Sequence, residues 1–503
     1  MQSDVRSRHA MREVVKVDVM DNCRWDYLRF QTPHVWRGPA NMATMTREQV
    51  VTCGASVGEE DPGAVRTRIH YSIPSSSGFC FYRPIHQGHD ILYSATMSAT
   101  SSPRNPPFRA EHIGSLLRPE KLVKQRYAIA EGSAPADSLP PVEQKAIRDV
   151  VKTQQDCGIQ SLTNGEYSRH QFWGTFMETL NGMEEINLRD GGYDQSIFRA
   201  YAPDVKSFMH AKTIPNSVTV AVGKISHTGK STFLPELEFM KSVLPEDQWS
   251  SIKLTITSPS WYHFRYGPKK AYLEGVYDND EEYFADLAKA YQVELKILYD
   301  AGLRNAQIDD PNLAYFCSES MLSGWSSDTE NFQSADQQLD AYIAFYNKCV
   351  IRPADFHMGI HLCRGNYMGS KHFSEGAYDR IATKLFNNLN VSTYYLEYDT
   401  PRAGGFEPLK HLPKDKNVVL GVVTSKFAEL ESQKDMVERV YKAADYVAEG
   451  SGQTREEALK RLSVSPQCGF ASHAEGNSLT AEDMEKKLRL VRSIADEVWP
   501  GEP

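Results

Sequence analysis

From Arg109 onward, short apolar runs alternate with amphipathic stretches, and this alternation restricts the fold more than anything else in the sequence. The strand-like runs are Glu111–Ser115, Ser161–Glu166, Lys253–Thr257, Ala306–Asp309, Met358–Cys363, Tyr394–Glu397, Val418–Val423 and Leu462–Pro466. Between them apolar residues recur at helical spacing over Pro119–Ala130, Val142–Cys157, Glu281–Tyr299, Ala335–Cys349, Ala377–Asn388 and Lys434–Ala448, with a last helix near Ala481–Glu497. Parallel strands need crossover connections, and helices are the usual ones. Eight such units predict an α/β chain folded as a (β/α)8 TIM barrel over residues 106–503. One further run, Ser217–Ser226, exceeds the count. With the surrounding residues 185–232 it reads as an excursion between barrel strands two and three. A doubly wound sheet is the alternative, disfavoured because no Gly-rich turn follows the first strand.

Residues 1–105 show no sustained periodicity, and Ser75-Ser76-Ser77 and Ser98-Ala99-Thr100-Ser101-Ser102-Pro103 are low in complexity. A disordered extension is expected there, with Met97 as the natural start. A mitochondrial leader competes, but Asp4, Glu13, Asp18 and Asp21 are too acidic for one. A hydrophobic share of 41% over 503 residues suffices for a large core. The net charge of −9 argues against a nucleic-acid partner. No apolar run approaches the roughly 20 residues that span a bilayer, and no signal-peptide pattern is present. The eight cysteines are scattered, without the density of a disulfide scaffold, so a reduced, cytoplasmic protein is expected. Nothing demands an oligomer, and a monomer is expected.

The active site of such a barrel lies at the C-terminal ends of its strands. Here those ends are polar: His112-Ile113-Gly114-Ser115, Asn164-Gly165-Glu166-Tyr167, Gln307-Ile308-Asp309-Asp310-Pro311, His361-Leu362-Cys363, Leu396-Glu397-Tyr398-Asp399 and Pro466-Gln467-Cys468-Gly469. Residues i and i+2 of a strand share a face, so His361 and Cys363 should project side by side. An imidazole next to a thiolate suits Zn²⁺. Alone, His-x-Cys in a strand reads more simply as buried filler, Cys468 as a small hydrophobe and Glu397 as an ion-pair partner. Together, His361, Cys363, Glu397 and Cys468 occupy the rim ends of three strands, and a shared metal accounts for all four.

These motifs resemble the C-terminal catalytic barrel of cobalamin-independent methionine synthase, including its short single-barrel relatives. The resemblance covers about residues 108–498 and rests on Ile113-Gly114-Ser115, Gly165-Glu166, Gln307-Ile308-Asp309-Asp310-Pro311, His361-x-Cys363, Glu397 and Pro466-x-Cys468-Gly469. It implies His361, Cys363, Glu397 and Cys468 as zinc ligands. It implies Ile113, Ser115, Glu166 and Asp309 as the amino-acid pocket, the two carboxylates also serving catalysis. The implied reaction moves a methyl group from 5-methyltetrahydrofolate, a polyglutamate, to the thiol of homocysteine. The family's larger enzymes stack the pterin on a Trp after the third strand, and Trp261 is the candidate here. They also carry a His after the seventh strand, where this chain reads Val423-Thr424-Ser425-Lys426. His170, His263 or Lys426 are the candidates to replace it, and the two histidines read equally well as packed loop residues.

Three other readings compete. A zinc-dependent alkyl transferase with another donor or thiol keeps the metal set and loses the folate. A decarboxylase of the related porphyrin-processing barrel needs no zinc and leaves the four rim residues without a shared purpose. A structural zinc protein does not explain the additional carboxylates Glu166 and Asp309, because structural sites are closed by their ligands.

Overall fold

A computed structural model describes residues 106–188 and 194–503. The extension expected over residues 1–105, with its Met97 start, lies outside the described residues. The strands are β1 (Asn181–Asn187), β2 (Ser217–Ser226), β3 (Leu254–Thr257), β4 (Asn305–Asp309), β5 (His357–Leu362), β6 (Thr393–Glu397), β7 (Asn417–Val423) and β8 (Leu462–Pro466). Strands β3 to β8 form a parallel sheet in sequence order. Nearly every residue in them is buried. That follows from helices covering the outer face while the inner face packs across the barrel.

The chain is a (β/α)8 barrel, and its first two strand positions are irregular. Ala110 bridges in parallel to Val464 of β8, and Leu162 to Ile252 beside β3. Between these two segments side chains replace a backbone ladder. The Thr163 hydroxyl donates to the Gly114 carbonyl at 2.9 Å, and His112 Nε2 donates to the Ser161 carbonyl at 2.8 Å. Leu116 N donates to Gly165 O at 3.1 Å. The regular strands expected over Glu111–Ser115 and Ser161–Glu166 are thereby corrected to single bridges. The physical reason lies in the backbone: Gly114, Gly165 and Glu166 have φ of 140°, 67° and 61°, which no ladder accommodates.

The excursion is present between the second and third barrel positions. β1 and β2 pair antiparallel, and a helix at Pro203–Ala211 lies between them in sequence. β2 occupies the run Ser217–Ser226, whereas β1 went unread because Glu184-Glu185 interrupts any apolar alternation. The outer helices begin at side-chain caps: Ser334 with Gln337, Thr454 with Glu457 and Thr480 with Asp483 form reciprocal capping boxes. The last helix, Ala481–Val498, buries Met484, Leu488, Val491, Ala495 and Val498, the spacing of one helical face. No helix among the described residues is long and apolar enough to cross a membrane.

Candidate metal centre and amino-acid pocket

The rim ends of β5 and β8 bring three ligand-type side chains together. One ligand atom each from His361, Cys363 and Cys468 lies within 4.8 Å of the others, and all three residues are buried. His361 sits in β5, which is held in register by β4 and β6. Its Nδ1 lies 3.1 Å from the Tyr395 carbonyl, and a carbonyl only accepts. Nδ1 therefore carries a proton, and Nε2 faces the cluster, 3.4 Å from Cys468 Sγ. Such an outer carbonyl fixes the tautomer that a metal requires. The Cys468 thiol donates to Cys363 and, helped by His361 against burial, holds Cys363 well below an ordinary thiol. Cys468 is pushed up by the same contact.

Glu397 lies at the end of β6 but outside this group of three. Its Oε2 accepts from the Arg364 backbone N at 2.6 Å, and its Oε1 accepts from Arg402 Nη2. Burial opposes ionisation of Glu397, and Arg364 and Arg402 more than offset it, so its carboxyl stays below the usual range. Of the four residues expected from sequence, His361, Cys363 and Cys468 cluster, and Glu397 stands at the neighbouring strand end with its carboxylate on the Arg364 N–H and Arg402. The rim loop Thr400-Pro401-Arg402 supplies a cation five residues after Glu397, a signal present in the sequence and passed over.

Next to the cluster lies a pocket of two carboxyl groups. Glu166 Oε1 accepts from Thr255 Oγ1 at 2.8 Å, while its buried Oε2 has no hydrogen-bond partner among the described residues. Asp309 Oδ1 accepts from Gln307 Nε2 at 2.6 Å, and the same amide donates to the Ile113 carbonyl at 2.6 Å. Burial, then repulsion from Glu166, raises Asp309 to about 7. Burial likewise raises Glu166, partly offset by Arg169. Ser115 lies on the β8 side, where its carbonyl accepts from Phe470 N and its hydroxyl from Ala471 N. Ile113, Ser115, Glu166 and Asp309 are thus brought to one side of the barrel mouth.

Trp261 is 6% exposed. Trp173 stacks on it at 4.8 Å between centroids, and the Arg265 guanidinium lies 3.4 Å from its centroid. Two groups so close to one ring need opposite faces, so Trp261 offers none to a ligand. The half-buried partner Trp173 holds the outer position, with Phe172 edge-on to both indoles and His473 edge-on to Trp173 at 6.0 Å. Sequence reasoning passed over Trp173 and His473. Among the candidate proton donors, His263 is tied to Asp280 at 3.1 Å and to the Tyr342 hydroxyl at 2.9 Å, which is the packed-residue reading. His170 lies edge-on to Tyr127 at 6.0 Å. Lys426 Nζ donates to Asn366 Oδ1 at 2.9 Å and to the carbonyls of Gly365 and Lys371.

A barrel with an imidazole, two cysteine sulfurs and a carboxylate pair at its C-terminal mouth defines a class: (β/α)8 proteins with a candidate metal centre beside a small polar pocket. The chain belongs to the cobalamin-independent methionine synthase family. Residues 275–496 match the family model described as "Cobalamin-independent synthase, Catalytic domain". The uncharacterized protein YxjH of Bacillus subtilis is 35% identical over 405 residues, covering 80% of this chain and 97% of that protein. The methionine synthase of Saccharolobus solfataricus is 23% identical, covering 75% and 95%. The provisionally assigned vitamin-B12-independent methionine synthase of Listeria monocytogenes has a similar structure. Its TM-score is 0.56 at 27% identity, over 79% of this chain and 99% of that one.

Proposed function

We propose that the protein is a zinc-dependent methyltransferase that moves a methyl group from 5-methyltetrahydrofolate polyglutamate to the thiol of homocysteine, giving methionine. The observation that carries this reading is the buried His361, Cys363 and Cys468 cluster, with His361 Nε2 turned inward by the Tyr395 carbonyl. This donor set fits Zn²⁺, and these three residues would hold it. When bound, the ion supplies a deprotonated substrate sulfur, worth about 30-fold in nucleophile population, or about 2 kcal/mol. Glu166 and Asp309 are set to receive the substrate ammonium, the free Oε2 of Glu166 above all. In this reading the Ser115 segment receives the substrate carboxylate. These contacts orient the sulfur, a contribution that proximity makes large. The sulfur lone pair forms the C–S bond as the methyl–nitrogen bond breaks. The electron pair stays on nitrogen, which gains a proton, balancing the one the thiol lost.

A second reading keeps the thiol chemistry and changes the methyl donor. It is favoured by Trp261, both of whose faces are covered, and by Lys426, whose ammonium is engaged by three acceptors. Zinc content, followed by methionine formation from homocysteine and methylfolate on the same sample, separates the two. One equivalent of zinc with turnover is expected. Zinc without turnover selects the second reading. Cys468→Ser and His361→Ala are expected to lose zinc and activity while unfolding stays cooperative, and a fully active, metal-free variant would defeat both readings.

A further inference from the structure

Glu166 stands in a closed ring of hydrogen bonds whose far member is Glu236, a residue that the proposed reaction does not use. Glu236 lies in the first turn of the helix Leu234–Val243, which follows the excursion. Its side chain is 9% exposed, and that of its partner Arg169 is 6% exposed. Arg169 donates from Nε to Glu236 Oε1 and from Nη2 to Glu236 Oε2, both at 3.3 Å. The same Nη2 donates to Thr255 Oγ1 at 3.1 Å, and Thr255 Oγ1 donates to Glu166 Oε1 at 2.8 Å. On the other arm, Asn164 Nδ2 donates to Glu236 Oε2 at 3.1 Å and to Ser168 Oγ at 2.9 Å. Asn164 Oδ1 accepts from the Glu166 backbone N at 2.8 Å, which closes the ring.

The bonds of this ring each have one possible direction. A guanidinium only donates, and an ionised carboxylate only accepts. Arg169 fills a lone pair of Thr255 Oγ1, so the single proton of that hydroxyl is committed to Glu166. Glu236 takes the amide N–H of Asn164, so the amide oxygen is left for Glu166 N. The backbone needs such a hold. Glu166 has a φ of 61°, which a residue with a Cβ keeps only where its surroundings impose it. The carboxylate ends with Oε1 engaged and Oε2 without a hydrogen-bond partner among the described residues. We infer that Glu236 is a positioning residue: through Arg169, Thr255 and Asn164 it aims the Glu166 carboxylate at the ammonium group of the amino-acid substrate. This rests on the amino-acid pocket proposed above and needs no metal. Glutamine at position 236 offers one acceptor oxygen in place of two to the same donors, so one arm of the ring must open.

The test measures binding of L-methionine, and of γ-methylthiobutyrate, the same molecule without its amino group, to the full-length protein by titration calorimetry. Wild type should prefer L-methionine by at least about tenfold, because only L-methionine carries the ammonium. Glu236→Gln is expected to weaken L-methionine about tenfold and to leave γ-methylthiobutyrate within about twofold of wild type. Thr255→Val keeps the side-chain shape, removes the hydroxyl of one arm and should lower the same preference. Glu166→Gln combined with Glu236→Gln should lose no more than Glu166→Gln alone, since residues acting through one another are not additive. Equal loss of both ligands in Glu236→Gln is a packing defect and overturns the inference, as do additive losses in the double variant. If Glu236→Gln does not fold, Thr255→Val decides, and an unchanged preference there overturns the inference. A wild type that binds both ligands equally is a different result: it removes the amino-acid pocket itself, and the role of Glu236 with it.

Discussion

At the scale of single residues, Asp309 and Glu166 are two carboxyl groups buried side by side, and burial first, then their repulsion, has a measurable consequence. Asp309 titrates at about 7 in the folded chain against an ordinary 3.8. Between those values the unfolded chain has released the proton and the folded chain has kept it. Stability therefore falls as pH rises across the interval, and the cost is complete above about pH 7. Asp309→Asn is expected to flatten this slope in urea unfolding at pH 4.5 and pH 8. Only the ionised carboxylate attracts an ammonium. Affinity for the amino-acid substrate should therefore weaken below about pH 7 in wild type and lose that dependence in Asp309→Asn; an identical pH profile in both proteins would contradict the role. Residue types were legible in the sequence here, because strand ends in a barrel converge whatever lies between them. Orientations were not. Nothing in the local sequence says that Trp173 and Arg265 close both faces of Trp261, since the first lies 88 positions away. Nor does it say that Arg402 bonds Glu397, which depends on a rim loop folding back.

At the scale of elements, β7 is wedged between β6, which ends in Glu397, and β8, which ends two residues before Cys468. Gly421 pairs with Glu397 on one side and Ser465 on the other, and the register to β8 shifts immediately after it. A Cβ there would meet Gln467 Cα at 2.7 Å, the Leu396 carbonyl at 2.8 Å and the Pro466 carbonyl at 3.2 Å. All three are backbone atoms of the neighbouring strands and have no rotamer to escape into. Gly421→Ala is expected to cost about 1–3 kcal/mol in denaturant unfolding, and to loosen zinc binding, because Cys468 would move with β8. An alanine variant as stable as wild type would show that the strands part more freely than their packing suggests. Strands three to eight were legible because each is a compact apolar run buried on both faces. The first two were legible in place but not in form. His112 and Thr163 spend their side chains on the carbonyls a ladder would use, a choice that periodicity does not record.

At the scale of the whole molecule, closure of the ring depends on contacts between its two ends. Arg109 donates to the carbonyls of Leu459, Lys460 and Leu462, pairs with Glu502 at 2.7 Å and lies over the Trp499 ring at 4.7 Å. Arg109→Ala removes the guanidinium donor from the Leu462 carbonyl and the ion pair with Glu502, and is expected to cost about 2–4 kcal/mol, with zinc content of the folded protein unchanged; thermal unfolding and metal analysis check it together. The same closure sets an order of events during synthesis. Ser115 meets Ala471 across 356 residues of chain, and Cys468 reaches His361 only when β8 is in place. At about 5–20 residues per second, the first half of the pocket waits roughly 20–70 s for the second. Until then the cluster of His361, Cys363 and Cys468 is not assembled. The candidate site therefore arrives in one step with the completed ring, and a growing chain on the ribosome does not acquire it piecemeal.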